Sequence, residues 1–139
     1  MKTRFIHLAA AFTVAFGMSA KPARAGDTVD FDKEVKPILE ASCVSCHTAD
    51  KVKGKLRLDT YKDALKGGET GPAIVPGDSA KSLLYTTTTL PPDDDKFMPT
   101  KGDHLTDAQK DTLKRWIEQG AKWPEGETLK ATKNPEPKK

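Results

Sequence analysis

The two cysteines of this 139-residue chain stand three positions apart, and a histidine follows the second one directly. They lie in the segment Cys43-Val44-Ser45-Cys46-His47, and the chain has no other cysteine. C-x-x-C-H is the pattern of c-type haem attachment, in which both thiols add to vinyl groups of the porphyrin while the histidine binds the iron. The motif predicts one covalent haem c, held by Cys43 and Cys46, with His47 as the proximal iron ligand.

Three other uses of the two cysteines are weaker. A disulfide across two intervening residues would close a very small loop and constrain the unfolded chain little. A thioredoxin-like redox pair would require an α/β chain, and the sequence shows no such pattern. A zinc site would have to recruit His47 and His104, yet the adjacent Cys46 and His47 are poorly placed to face one tetrahedral ion.

Residues 1–25 carry the pattern of a secretory signal peptide. They contain four basic residues and no acidic one, an uncharged run over residues 5–18, and Ala23-Arg24-Ala25 at the end. The run is shorter than the roughly 20 apolar residues that span a bilayer. We therefore expect export to the periplasm and a mature chain that begins near Gly26 without a membrane span.

Removal of this leader changes the formal net charge from +3 to −1, because the leader carries basic residues only. A near-neutral chain is not expected to bind nucleic acid through a polybasic surface. Leu, Ile, Val and Phe together account for only 20 residues of the mature chain. So low a content is usually associated with disorder, yet the helix signals are strong, so a haem is expected to fill the missing core.

The periodicity predicts an all-α domain over residues 26–126, with three to five short helices around the haem. The first helix is expected over residues 31–42, bent or starting late at Pro37. Thr60 caps a short second helix that Gly67 stops, and a third begins near Ser79. The loop between them should tuck Ile74 and Val75 inward.

The last helix has the clearest signals in the sequence. Thr106 and Gln109 form a capping box at its start, and Gly120 closes it. Its apolar stripe consists of Leu113, Trp116 and Ile117. The segment after it is rich in Lys, Glu and Pro, so residues 127–139 are predicted to form a disordered tail.

The second axial ligand of the iron has two candidates in the mature chain, Met98 and His104. Met98 stands between Phe97 and Pro99, in a segment rich in helix breakers that cannot be a helix interior. His104 lies in a hydrophilic approach to the last helix, which usually faces water. Met98 is therefore favoured as the distal ligand, with His104 and an open sixth position as the alternatives.

Motifs along most of the mature chain resemble the small cytochrome c domains of planctomycetes and verrucomicrobia. The resemblance implies a class I-like cytochrome c fold with His47 proximal and Met98 distal. One departure is Thr100, where the family often has a second proline. The motifs that carry the likeness are Phe31-x-x-x-Val35-x-Pro37-Ile38-Leu39, the Cys43 to His47 segment, Leu56-x-Leu58, Pro76-Gly77-Asp78, Ser82-Leu83, Met98-Pro99, Leu105-Thr106 and Trp116-Ile117-x-x-Gly120-Ala121-x-Trp123-Pro124.

These observations predict a periplasmic one-electron carrier that exchanges electrons with a donor and an acceptor protein and is not an enzyme. A His/Met pair leaves no open coordination position, which favours electron transfer over substrate chemistry. The alternative is a haem enzyme or a site for peroxide or a small gas, with His104 or Arg57 near a labile sixth position. A non-haem interaction or metal-binding module is the third hypothesis.

Overall fold

The computed structural model describes residues 27–132, so the predicted signal peptide lies outside the described residues. This part of the chain contains no β-strand, which is compatible with the all-α prediction, and none of its helices is long and apolar enough to cross a membrane. The four α-helices are α1 (Lys36–Ser42), α2 (Tyr61–Lys66), α3 (Leu83–Thr86) and α4 (Asp107–Glu118). Short 3₁₀ turns at Lys53–Lys55, Ser79–Lys81 and Thr87–Thr89 complete the helical structure.

The first predicted helix consists of two differently wound parts that meet next to Pro37. The Asp30 carboxylate accepts a hydrogen bond from the Lys33 N–H and caps a π-helical turn over Phe31–Val35. Regular α1 then runs from Lys36 to Ser42, with Pro37 in its first turn. A proline at this place costs little, because the first N–H groups of a helix have no partner within the helix. The predicted range from residue 31 to residue 42 is therefore helical, but the regular α-helix begins at Lys36, one residue before Pro37, and not beyond it.

Helix α4 packs its apolar stripe into the core and begins at the predicted capping box. The Thr106 hydroxyl accepts from the Gln109 N–H, and the Gln109 side chain accepts from the Thr106 N–H. Trp116 is 1% exposed, and its ring lies 5.8 Å from that of Phe31, which in turn lies 4.7 Å from the ring of Trp123. These aromatic contacts join the beginning of the described chain to its end and close the domain.

The segment that follows α4 corrects the predicted domain boundary, because residues 127–132 are not a free tail. Leu129 is 2% exposed in the hydrophobic core, and its N–H donates to the Asp59 carbonyl at 2.8 Å. The Thr132 N–H donates to the Glu40 carbonyl on α1, and Lys36 forms an ion pair with Glu127. One buried leucine and these backbone bonds hold a segment whose composition alone predicted disorder. Residues 133–139 lie outside the described residues.

The loop before α3 is held by a buried serine that the sequence prediction overlooked. The Ser82 side chain is fully buried; its hydroxyl accepts from the Val75 N–H at 2.9 Å and donates to the Asp78 carbonyl at 2.8 Å. Ile74 is buried as expected, whereas Val75 is only half-buried and Ala73 takes the second interior position. The prediction that this loop turns apolar side chains inward is confirmed for Ile74 and wrong for Val75.

Gly67 ends α2 in a backbone conformation that only glycine adopts easily, with φ 76° and ψ −164°. A Cβ atom there would lie 2.0 Å from the Gly71 carbonyl oxygen. We expect Gly67→Ala to lower the free energy of unfolding by about 3 kcal/mol, through backbone strain and the displaced turn. Thermal and urea unfolding of the holoprotein measure this loss.

Gly126→Ala is the matched control for that substitution. Gly126 also has a positive φ, 74°, but no atom lies within 4 Å of the position of its added Cβ. Gly126→Ala should lower the free energy of unfolding only by the cost of an alanine at positive φ, roughly 1 kcal/mol. Equal losses for the two variants would show that the close approach to Gly71 does not contribute.

Candidate functional site

The Cys43 to His47 segment continues α1 as one tight turn. The Leu39 carbonyl accepts hydrogen bonds from the N–H groups of Cys43 and Val44, and the Cys43 carbonyl accepts from those of Cys46 and His47, both at 3.2 Å. Val44 between the cysteines is fully buried and anchors the turn in the core. The sequence therefore brings both thiols and the imidazole onto a single turn at the end of a packed helix.

The His47 backbone is held from its other side by the loop that follows. The Leu58 N–H donates to the His47 carbonyl at 2.8 Å, and His47 forms an isolated antiparallel bridge with Val52. Leu58 is itself buried, so this bond ties the histidine to the core. The loop over residues 48–57 thus folds back onto His47. Its contacts fix the His47 backbone, although this residue lies outside any helix.

The His47 imidazole is buried, at 9% exposure, and its Nδ1 atom has no hydrogen-bond partner among the described residues. Burial lowers the pKa of this imidazole, against the opposing effect of the backbone carbonyls of Leu56 and Lys53. The neutral ring is the form that binds a metal ion. Because Nδ1 is enclosed by the protein, the other ring nitrogen, Nε2, is the atom at which a metal ion could approach this imidazole.

The two thiols are free and half-buried. Burial, with a smaller contribution from Cys46, raises the pKa of the Cys43 thiol to about 12. A redox-active cysteine has a lowered pKa, so the raised pKa of Cys43 does not fit a thioredoxin-like pair. Within residues 27–132, no group of three or more His, Cys, Asp or Glu side chains is arranged to hold a metal ion. The structure thus gives no support to the disulfide, thioredoxin-like and zinc alternatives.

Met98 lies on a separate loop that follows α3. Its N–H donates to the Thr87 carbonyl at 3.1 Å. The neighbours Phe97 and Pro99 are both buried, whereas Met98 itself is half-buried. Two buried neighbours and one backbone hydrogen bond thus hold Met98 in place, while its own side chain is only half-buried. The expected breaker-rich, non-helical setting of Met98 is confirmed, while its role as an iron ligand stays a prediction.

The acidic stretch before Met98 is more ordered than a charged surface loop would be. The Asp94 carboxylate accepts from the Lys96 N–H at 2.8 Å, and the Asp94 carbonyl accepts from the Phe97 N–H at 2.9 Å. Such side-chain bonds to a nearby backbone N–H stabilise tight turns. An aspartate two residues before a backbone N–H, in a segment that begins with two prolines, is the signal in the sequence that could have identified this turn.

His104 and Arg57, the two residues considered for a catalytic distal site, each contact other parts of the protein. His104 is exposed, as expected, and its ring meets that of buried Phe97 edge-on at 4.6 Å. The Arg57 guanidinium binds both carboxylate oxygens of Asp59, at 3.1 and 2.8 Å, and approaches the Asp63 carboxylate at 3.3 Å. Arg57 is therefore committed to a structural ion pair, and His104 contacts the Met98 loop through Phe97.

The ion pair with Arg57 should make the domain sensitive to acid. The Arg57 guanidinium holds the pKa of the buried Asp59 carboxyl below its ordinary value, against the effect of burial. A carboxyl whose pKa is lower in the folded state stabilises the fold above its unfolded pKa of about 4, and this contribution is lost as the pH falls through the folded value. We expect Asp59→Asn to lower the melting temperature at pH 7 and to lose this effect in strong acid.

Thermal unfolding from pH 7 to pH 2 tests this linkage. Asp93→Asn, which changes an exposed aspartate in the same way, is the control and should leave the melting temperature unaltered at each pH. A deficit in Asp59→Asn that remains constant over the whole range would contradict the proposed linkage.

The residues of the Cys43 to His47 turn fit a covalently attached haem. Two free thiols and a buried imidazole on one turn are the donors that a c-type haem uses. Cys43 also packs against the hydrophobic core, together with Leu56 and the rings of Tyr61 and Tyr85. Half-buried apolar side chains of this kind are suited to contact a flat hydrophobic group.

Comparison with known families identifies the same part of the chain. Residues 43–102 match the family model described as Planctomycete cytochrome C. The matched segment contains both cysteines, His47 and Met98, whereas the motifs of the first and last helices lie outside it. No curated protein and no solved structure matches the chain.

Proposed function

Since residues 43–102 match the planctomycete cytochrome c family model, we propose that the protein is a periplasmic one-electron carrier with one covalent haem and His47/Met98 axial ligation. The observation that carries this proposal is the buried His47 imidazole on the same turn as two free thiols. The class I-like arrangement of the helices around the haem is part of the same proposal.

The turn at the end of α1 would hold the haem. Cys43 and Cys46 supply the two thioether sulfurs, and buried Val44 between them keeps the turn against the core. His47 presents a neutral imidazole from a backbone that the Leu58 N–H holds in place. These residues would bind and orient the group at the end of α1.

The Met98 loop would complete the coordination sphere. When bound, a haem with His/Met ligation supplies a single Fe(III)/Fe(II) couple, raised in potential relative to bis-His ligation. The chain contributes a thioether from Met98 and excludes water around it through buried Phe97 and Pro99. A sixth position filled by the protein leaves no site for a substrate, so the protein is proposed to transfer electrons and not to act as an enzyme.

The partners are proposed to be a donor and an acceptor redox protein of the periplasm. The signal peptide pattern of residues 1–25 supports export, and c-type haem attachment takes place in that compartment. The mature chain is proposed to be free of membrane spans, in agreement with the lack of a spanning helix among residues 27–132.

Voltammetry and carbon monoxide binding on the periplasmically matured holoprotein test this function. An electron carrier should show one reversible one-electron couple, and its reduced spectrum should change little when carbon monoxide is added, because Met98 occupies the sixth position. Rapid and complete carbon monoxide binding would contradict the electron-carrier proposal and favour an enzyme or gas-binding site with a labile sixth position.

A further inference from the structure

We propose that Thr87 is a positioning residue that sets the place of Met98 through its carbonyl and its hydroxyl group. This inference rests on the proposed function, because it assigns a support to the proposed distal ligand. It concerns a threonine run, Thr86-Thr87-Thr88-Thr89, which the sequence pattern indicates only as a weak end of the third helix.

Two hydrogen bonds join Thr87 to the same acceptor on α3, the Leu83 carbonyl oxygen. Its N–H donates to the Leu83 carbonyl, and its hydroxyl donates to the same oxygen at 2.7 Å. Thr87 stands four residues after Leu83, so its N–H makes the ordinary helical bond and its hydroxyl adds a second bond to the same oxygen. This second bond reduces the freedom of the Thr87 peptide group.

The Thr87 carbonyl then holds the Met98 loop. It accepts the Met98 N–H at 3.1 Å, across eleven positions of the chain. Phe97 and Pro99 bury their side chains on either side, so this backbone bond is the polar contact at the centre of the loop. A shift of the Thr87 peptide would therefore be transmitted directly to the backbone from which the Met98 side chain projects.

The next two threonines separate this role from a general stabilisation of the turn. The Thr88 hydroxyl donates to the Tyr85 carbonyl at 2.7 Å, and the Thr89 hydroxyl donates to the Thr86 carbonyl at 2.8 Å. Thr89 is exposed, and its carbonyl accepts no bond from the Met98 loop. Thr89→Val thus removes the same kind of hydroxyl bond from the same turn without touching the support of Met98.

The test compares Thr87→Val, Thr87→Ser and Thr89→Val in the holoprotein. Two quantities are measured: hydrogen exchange of the Met98 amide, and the rate of imidazole binding to the oxidised protein. Thr87→Val should accelerate Met98 amide exchange roughly tenfold, as expected for a weakened hydrogen bond, and should speed imidazole binding. Thr87→Ser, which keeps the hydroxyl, and Thr89→Val should both behave as the wild type.

Several outcomes would overturn the inference. Fast exchange of the Met98 amide in the wild-type holoprotein would do so even if Thr87→Val failed to fold. Equal effects of Thr87→Val and Thr89→Val, or no effect of Thr87→Val on either measurement, would also contradict it. If Met98 is not the iron ligand, imidazole binding will not respond to Thr87→Val while amide exchange still does, so failure of the proposed ligation is distinguishable from failure of the Thr87 support.

Discussion

Replacing Cys43 or Cys46 with alanine is expected to leave little stable holoprotein after periplasmic expression. Each substitution removes one of the two thioether bonds that we propose hold the haem to the turn after α1. Leu, Ile, Val and Phe account for only 20 residues of the mature chain, so we expect the haem to complete the core. A group that binds only the folded state contributes its binding energy to folding. The yield of haem-containing protein and its melting temperature measure the loss.

Ser45→Ala is the matched control for the cysteine variants. Ser45 lies between the two cysteines on the same turn, but its side chain is exposed, and its hydroxyl donates to the Cys46 sulfur at 3.8 Å. This variant should mature in wild-type yield. Cysteine variants that fold without haem to a wild-type melting temperature would show that the haem does not complete the core.

Replacing Met98 with alanine should preserve the covalent haem but lower the reduction potential, because a thioether favours the ferrous state and water does not. It should also open the sixth position to carbon monoxide and imidazole and create weak peroxidase activity. His104→Ala, at the other candidate residue, should leave the potential and the ligand binding unchanged. Voltammetry and ligand titration of the two variants measure these effects.

The other outcomes of this comparison identify the alternative sites. If the potential and ligand binding respond to His104→Ala and not to Met98→Ala, the protein is a bis-His cytochrome. If neither substitution has an effect, the wild-type iron has five ligands, and the enzyme hypothesis replaces the electron carrier.

The elements that could be predicted from the sequence are those whose signals are local. The capping box of Thr106 and Gln109, the Thr60 cap and the effect of Pro37 on α1 each depend on residues within one helical turn. The C-x-x-C-H motif is equally local, because its chemistry requires a fixed spacing. The resemblance to planctomycete cytochromes, recognised from such motifs, is confirmed for residues 43–102.

The features that escaped prediction depend on contacts between distant parts of the chain. Leu129 belongs to the core because its backbone binds that of Asp59, 70 positions earlier, which no local composition reveals. The bond from Met98 to Thr87 and the burial of Ser82 likewise arise from how the loops around α3 pack. Tertiary contacts of this kind override the disorder and loop signals that a low apolar content produces.

The central claim is tested most directly by pyridine haemochrome analysis combined with the intact mass of the wild-type protein, expressed with the periplasmic haem-attachment machinery. We expect a haem c spectrum with two thioether bonds, and a mass equal to that of the chain starting near Gly26 plus one haem. A folded but colourless protein, with the mass of the polypeptide alone, would contradict the claim.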